Sequence, residues 1–220
     1  MSSAMFDPIK AQSKVTDAVL VAFSGGKDSI CCLDLCMRYF KRVQPFFMYL
    51  CPDLEFQEKT LRWYEERYQT SIIRIPHFEA SNFMRYGSFR EPDLNVPIVD
   101  VKDTYDYLRA ETGIFWVCAG ERIADSIVRR ALIKHSGTID AKRGRFYPIA
   151  NWTKKDVMSY IKLRGLKLPS DSKRLGFSFR SLDGEQLAAI KERYPEDYQK
   201  ILRAYPFAGA AVERYERYGK

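Results

Sequence analysis

One short stretch constrains the fold of this chain more than any other. An apolar run, residues 18–23, is followed at once by the hexapeptide SGGKDS, residues 24–29. A short continuous apolar run is typical of a strand buried in a parallel sheet. The paired glycines end that strand, and a helix is predicted from Ser29 to about Arg42. The sequence therefore predicts a tight connection from a buried strand to a helix.

Strands and helices alternate along the following part of the chain. Further strands are predicted at residues 45–50, 71–75, 115–119 and 145–149, and further helices at 57–68, 102–112, 125–135 and 154–164. This alternation predicts an α/β fold with a mostly parallel sheet and helices on both faces. Residues 76–97, which carry Pro, Gly, Asn and Ser, are predicted to form a long loop.

The hexapeptide has the residue types that a phosphate-binding loop needs. The expected contacts come from Ser24, Gly25, Gly26, Lys27, Asp28 and Ser29. Glycines let backbone N–H groups approach an anion closely, and the N-terminus of the following helix adds a favourable dipole. The serine hydroxyls donate hydrogen bonds, and the lysine neutralises phosphate charge. The carboxylate either orients the lysine or helps to hold Mg²⁺. The spacing is neither that of a Walker A loop nor that of a Rossmann fingerprint.

Three motifs carry a resemblance to a known family. Residues 23–29 resemble the SGGKDS signature of the PP-loop ATP pyrophosphatases. Residues 120–129 are similar to the GxRxxESxxR element of the phosphoadenosine phosphosulfate (PAPS) reductase family, with Asp125 in place of Glu. Residues 147–157 resemble the element of that family built around Trp152, Thr153 and Asp156. The resemblance covers residues 18–169, with its motifs in the right order.

The resemblance implies a fold, a ligand and a set of site residues. The implied fold is like that of the adenine nucleotide alpha hydrolases, with ATP or a sulfonucleotide above the loop. The residues implied to hold phosphates are Ser24, Gly25, Gly26, Asp28 and Ser29. Arg122 and Arg129 are candidates for a second set of anion contacts, because a strand that ends in glycine and the helix behind it place both near one rim. The alternative for each is a surface arginine in a local salt bridge.

The chain departs from this family at the residue that performs reduction. PAPS reductases use a cysteine in a C-terminal tail motif, whereas no cysteine follows Cys118 and the corresponding stretch offers Ser178. A serine hydroxyl does not form the thiosulfonate that reduction requires. The sequence has no CxxC that would bind an iron–sulfur cluster with the adjacent cysteines 31 and 32. We therefore reject sulfonucleotide reduction.

A second departure lies after the second predicted strand. Cys51 stands where the family has an acidic residue, and Asp53, two residues further, is the candidate replacement as a metal ligand. Cys51 is either a reactive thiol at the edge of the cleft or a packed side chain.

Composition limits the location and partners of the protein. The formal net charge of +8 favours anionic partners, and nucleic acid is one candidate. The five cysteines form no disulfide framework, and the N-terminus lacks the apolar segment of a signal peptide. No apolar run has the length of a membrane span. We expect a cytoplasmic protein without a membrane partner.

These observations predict an enzyme that binds ATP and Mg²⁺ in residues 1–165, followed by an irregular and helical extension, residues 166–220. It would cleave ATP to AMP and pyrophosphate and adenylate a substrate, with Lys27 and Asp28 as catalytic residues and Asp28 and Asp53 as metal ligands. The acceptor is unidentified, and nucleic-acid or small-molecule sulfur modification and a partner protein are candidates. Two alternatives are an enzyme similar to FMN adenylyltransferase and a non-catalytic, nucleotide-binding regulatory subunit.

Overall fold

A six-stranded sheet organises the computed structural model, which describes residues 3–169, 179 and 181–219. The strands are β1 (Ala18–Ala22), β2 (Arg42–Tyr49), β3 (Ile73–Pro76), β4 (Val117–Cys118), β5 (Ile139–Asp140) and β6 (Arg145–Phe146). Their order is β3-β2-β1-β4-β6-β5. The β1–β2, β1–β4 and β4–β6 pairs are parallel, and β5 is antiparallel to β6.

Helices connect and follow these strands. A short 3₁₀ turn, Ser3–Phe6, leads into α1 (Asp7–Ser13), and the next helices are α2 (Lys27–Tyr39), α3 (Glu55–Tyr68), α4 (Phe78–Tyr86), α5 (Val101–Thr112), α6 (Ile127–Ser136) and α7 (Lys154–Arg164). The C-terminal region contains α8 (Gly184–Arg193), α9 (Pro195–Ala204) and α10 (Ala208–Tyr218). The predicted α/β class, with a mostly parallel sheet, flanking helices and a helical C-terminal region, is confirmed.

The helix predicted to end near Arg42 is shorter at its C-terminal end. α2 begins at Lys27 and ends at Tyr39, and Phe40 has an extended backbone with φ −118° and ψ 150°. Arg42 is the first residue of β2, in register with Ala18 of β1. Pairing with the central strand therefore overrides the helical pattern at this end.

The prediction of a long loop at residues 76–97 was wrong in its first half, which forms α4. The His77 ring accepts a hydrogen bond from the backbone N–H of Glu79 and caps the helix, and Gly87 ends it in the left-handed region at φ 75°. Ser81, a residue that favours loops, is accommodated because its hydroxyl donates to the Phe78 carbonyl at 2.7 Å. Three elements were not predicted: the 3₁₀ turn Ser3–Phe6, α1 and the two-residue strand β5.

The chain divides into two compact units. The first comprises residues 1–47, 65–73 and 105–168, and the second comprises residues 48–64, 74–104 and 169–220. In the first unit, Val19, Leu20 and Val21 of β1 are completely buried. α2 packs on β1 and on α7, and α7 begins at the predicted cap Thr153 and ends at Gly165.

The second unit has its own apolar core. One cluster of its buried side chains comprises Cys51, Leu54, Phe56, Leu182, Leu187, Ile190, Tyr198, Ile201, Tyr205, Ala208 and Val212. The buried carboxylate of Asp197 accepts hydrogen bonds from the N–H groups of Glu55, at 2.9 Å, and Phe56, at 3.1 Å. A side chain of α9 thus caps the N-terminus of α3, which satisfies N–H groups that have no partner within that helix.

The proposed boundary between a nucleotide-binding domain, residues 1–165, and an extension, residues 166–220, stays a prediction. Within the part of the chain that the structure describes, no helix has both the length and the apolar content needed to cross a membrane.

A buried carboxylate joins three helices within the first unit. Asp34 of α2 is completely buried, and it accepts hydrogen bonds from the hydroxyls of Tyr68, at 2.7 Å, and Tyr160, at 2.5 Å. The Arg164 guanidinium completes the set, with its Nε 3.0 Å from Asp34 Oδ2. Burial raises the pKa of this carboxyl, but the hydrogen bonds from its three donors lower the pKa by a larger amount. The pKa of Asp34 therefore lies below its usual value.

We predict that Asp34→Asn lowers the free energy of unfolding at pH 7 by about 2 kcal/mol, because the amide leaves buried donors poorly matched. This figure is modest for a buried pair because the Arg164 side chain is 37% exposed. Since the pKa of Asp34 is depressed on folding, its contribution is present above the unfolded pKa of about 3.9. The difference between variant and wild type should therefore shrink as pH falls below that value.

Urea unfolding of both proteins between pH 7 and pH 3 measures this difference. Asp17→Asn is the matched control, because Asp17 forms an exposed ion pair with Lys41 in the same unit and its loss should change stability very little. Equal effects of the two substitutions would contradict the role given to Asp34.

Candidate functional site

The hexapeptide spans the predicted connection between β1 and α2, but α2 begins at Lys27, two residues before the predicted start at Ser29. Gly26 is the N-cap of α2, with an extended backbone (φ −73°, ψ 159°), and no side chain caps the helix. Gly25 adopts φ 72°, in the left-handed region that favours glycine. The N–H groups of the first turn of α2 therefore have no side-chain acceptor, which suits them to bind an anion.

Two serine hydroxyls hold the loop in shape. Ser29 Oγ donates to the carbonyl oxygen of Gly26 at 2.9 Å and accepts from the N–H of Ser24 at 3.2 Å. The Ser24 hydroxyl donates to Ser29 Oγ at 3.1 Å. Both serines thus have a structural role here in addition to the phosphate contacts predicted for them.

Three charged side chains meet at the start of α2. Lys27 Nζ lies 2.5 Å from Asp28 Oδ2, and Arg122 Nε lies 3.0 Å from Asp28 Oδ1. The contact between Arg122 and Asp28 is an ion pair without a well-aligned hydrogen bond. Asp28 Oδ1 and Arg122 Nε are both buried, and neither has a hydrogen-bond partner. The Arg122 side chain is only 7% exposed, so its charge is held inside the site.

Asp125 links the two arginines of the second motif. Its Oδ1 lies 2.6 Å from Arg122 Nη2, and its Oδ2 lies 3.1 Å from Arg129 Nη1. Ser126 caps α6 by accepting from the N–H of Arg129. Arg122 therefore reaches the loop, whereas Arg129, with a side chain 51% exposed, is placed in a local salt bridge. Asp125 follows Arg122 by three residues and precedes Arg129 by four. This spacing is the sequence signal that identifies Asp125 as the ion-pair partner of both arginines.

Gly120, just beyond β4, lies against the loop. A Cβ atom at this position would stand 3.3 Å from both the Asp28 carbonyl carbon and the Ser29 nitrogen. A side chain here would press on the first turn of α2. Gly120 therefore allows the end of β4 to approach the loop closely.

The cysteines do not form a reactive site. All five are free and buried. Burial, with a nearby Asp197 carboxylate, raises the pKa of the Cys51 thiol to about 11, which favours the packed interpretation of this residue. The hydrogen bond with Cys118, together with burial, raises the pKa of the Cys32 thiol well above the ordinary value, and burial does the same for Cys118.

The predicted metal ligands are not part of a preformed cage. Asp53 is an exposed residue of the second unit with φ 58°, and its carbonyl accepts a hydrogen bond from Lys200. Over residues 3–169 and 181–219, no group of three or more His, Cys, Asp or Glu side chains is arranged to hold a metal ion. Ser178 lies outside the described residues.

The fold and the loop together define an α/β protein in which a strand leads directly into a helix whose N-terminus has no side-chain cap. A model of the phosphoadenosine phosphosulfate reductase domain matches residues 18–170. The chain therefore belongs to this family, which confirms the resemblance inferred from the motifs. A sequence search of curated proteins gives no match.

The solved structures that are similar to this chain include the following two. The first is an NH₃-dependent NAD synthetase from Campylobacter jejuni in complex with a nitrate ion, with a TM-score of 0.52 and 18% identity, covering 99% of this chain and 94% of the other. The second is the U34-tRNA thiolase NcsA from Methanococcus maripaludis with its [4Fe-4S] cluster, with a TM-score of 0.46 and 13% identity, covering 92% and 78% respectively. At these identities the first match supports the fold alone.

We predict that Gly120→Ala weakens ATP binding at least tenfold, because the added methyl group displaces the backbone at the start of α2. Isothermal titration calorimetry with ATP measures this loss. Gly209→Ala is the control, since a Cβ there would meet only side-chain atoms at 3.8 Å and 3.9 Å. Wild-type affinity in Gly120→Ala would show that the close approach is not needed for binding.

Proposed function

We propose that this protein binds ATP at residues 24–29 and cleaves it between the α and β phosphates, transferring the adenylyl group to an acceptor. The single observation that carries this proposal is the uncapped N-terminus of α2 at the end of the central parallel strand. Ligands of open parallel sheets bind at the carboxyl ends of the strands. A polyphosphate supplies the anion that this helix N-terminus lacks.

The charges around the loop would stabilise the negative charge of pyrophosphate as it leaves. Lys27 is one third exposed at its side chain, so its ammonium is accessible to a ligand while it pairs with Asp28. When phosphate enters, the ammonium turns from the carboxylate to the phosphate oxygens and offsets the charge that develops as the Pα–O bond to pyrophosphate breaks. The N–H groups of the first turn of α2 stabilise the same charge without reorganisation.

Arg122 supports this site through the Asp28 carboxylate rather than by direct contact with the nucleotide. Its buried guanidinium balances the Asp28 carboxylate and is itself held by Asp125. Two carboxylates therefore fix one arginine against the loop, which keeps the first turn of α2 in a defined position. In this proposal Arg129 acts through Asp125 and is a positioning residue rather than a phosphate ligand.

A magnesium ion would bind at this site together with the nucleotide, whose phosphates would supply some of its ligands. Mg²⁺ is usually bound by one or two carboxylates together with substrate phosphates and water. Asp28 is the carboxylate that would hold it here, through Oδ2 on the side of the accessible Lys27, because Oδ1 is buried against Arg122. The ion would supply Lewis-acid stabilisation of the phosphate oxygens.

The chemistry of adenylation defines the group that the acceptor must carry. A nucleophilic oxygen of the acceptor attacks the α-phosphorus, pyrophosphate leaves, and a second nucleophile then displaces AMP. Within this proposal the reaction serves the sulfur modification of a nucleic acid or a small molecule. Transfer of the adenylyl group to FMN and regulatory nucleotide binding without turnover are the alternatives that the same assay separates.

We predict that incubation with ATP and Mg²⁺ yields AMP and pyrophosphate, and that DNA, RNA or FMN accelerates the reaction when it is the acceptor. Lys27→Ala should lower the rate about a hundredfold or more, because it removes a cation aimed at the leaving group. Chromatography that resolves AMP, ADP, pyrophosphate and adenylylated product measures the outcome.

Lys10→Ala is the matched control, because Lys10 is an exposed lysine of the first unit at the end of α1. It should retain the wild-type rate. ADP and phosphate as products would contradict the proposed cleavage, and ATP binding without any turnover under every acceptor would favour the regulatory alternative.

A further inference from the structure

α6 is unusual among the helices of the first unit because it leaves most of its surface open. Ile127 and Val128 are 83% and 78% exposed, and Ile133 is its only buried residue. The exposed residues are Ile127, Val128, Arg129, Arg130, Ala131, Lys134 and His135, and of these Arg129 is engaged by Asp125. Two adjacent aliphatic side chains this exposed on the first turn of a helix offer a small apolar surface to a partner.

The charge of this surface has one sign. α6 contains no Asp or Glu, and its exposed face carries Arg130 and Lys134 one helical turn apart. Lys134 forms no ion pair or hydrogen bond within the described residues, and Arg130 donates one long hydrogen bond, 3.5 Å, to the Ile123 carbonyl. The two cations are therefore available to bind an anionic partner.

A chain of ion pairs connects this surface to the loop. Asp28 contacts Arg122, Arg122 contacts Asp125, and Asp125 contacts Arg129 in the first turn of α6. All of these residues belong to the first unit. A partner docked on the N-terminal half of α6 is thus held beside the proposed site of ATP cleavage.

We propose that the exposed face of α6 docks a single-stranded nucleic acid, which presents the acceptor group to the nucleotide site; its role as acceptor surface rests on the proposed function. Arg130 and Lys134 bind successive phosphates of the strand. Ile127 and Val128, nearer the loop, contact the apolar faces of unpaired bases. A duplex hides those faces in its stack, so the pairing of aliphatic and cationic side chains favours a single strand.

The test is equilibrium binding of the full chain to fluorescein-labelled 20-nucleotide DNA and RNA strands of one sequence, followed by fluorescence anisotropy without ATP. The double variant Arg130→Glu, Lys134→Glu should bind at least tenfold more weakly than wild type. A plot of the logarithm of the binding constant against the logarithm of salt concentration should also be less steep for this variant. Its slope should change by about 1.4, the value for two phosphate contacts to a single strand.

The matched control is Lys10→Glu, Lys14→Glu, an exposed pair with the same i,i+4 spacing in the same unit. It changes the net charge by the same amount, so general attraction of a basic protein to nucleic acid would weaken equally in both variants. That result would overturn the proposal, as would the absence of binding by wild type at 50 mM salt. Competition by polyglutamate as effective as that by DNA at equal charge would also overturn it.

A second variant tests the apolar half of the surface. Ile127→Ser, Val128→Ser should keep the wild-type melting temperature, since both side chains are exposed, and should weaken strand binding more than duplex binding. Equal weakening of the two would contradict the contact with unpaired bases. Because none of these measurements uses ATP, failure of ATP cleavage and failure of nucleic-acid docking are observed separately.

Discussion

Parallel pairing of β1 with both of its neighbours determines where the SGGKDS loop lies in this protein. Leu20 and Val21 of β1 pair with Val117 and Cys118 of β4, so the two strands end at one edge of the sheet. The loop after β1 and the segment after β4 therefore lie side by side. Gly120 favours this arrangement, because a Cβ atom there would lie 3.3 Å from the backbone of Asp28 and Ser29 and would press on the loop.

Electrostatic balance then fixes the details of that edge. Asp28 stands between two cations, one accessible and one buried, and Asp125 stands between two arginines. Isolated buried charges are costly, so each member of this row depends on its neighbours. The Lys27 side chain is one third exposed, so its ammonium is more accessible than the guanidinium of Arg122, which is held from both sides.

Residues 24–29 and the alternation of strands and helices were sufficient to predict the α/β class and the position of the loop. The arginines show what local patterns leave out: their spacing placed both near one rim, but only the packed structure distinguishes buried Arg122 from half-exposed Arg129. α4 was mistaken for a loop because Ser and Asn are poor helix formers, although the caps at His77 and Gly87 offset them. Two-residue β5 exists through its pairing with β6, which no local periodicity predicts.

The five free thiols give the protein an internal reporter of its own unfolding. Each is at most 1% exposed, and those with shifted pKa values are shifted toward the unreactive protonated form. Cys51 lies in the second unit and the other four in the first. An alkylating reagent would therefore modify native protein only through opening motions, and the order in which peptides acquire the label would show which unit opens first.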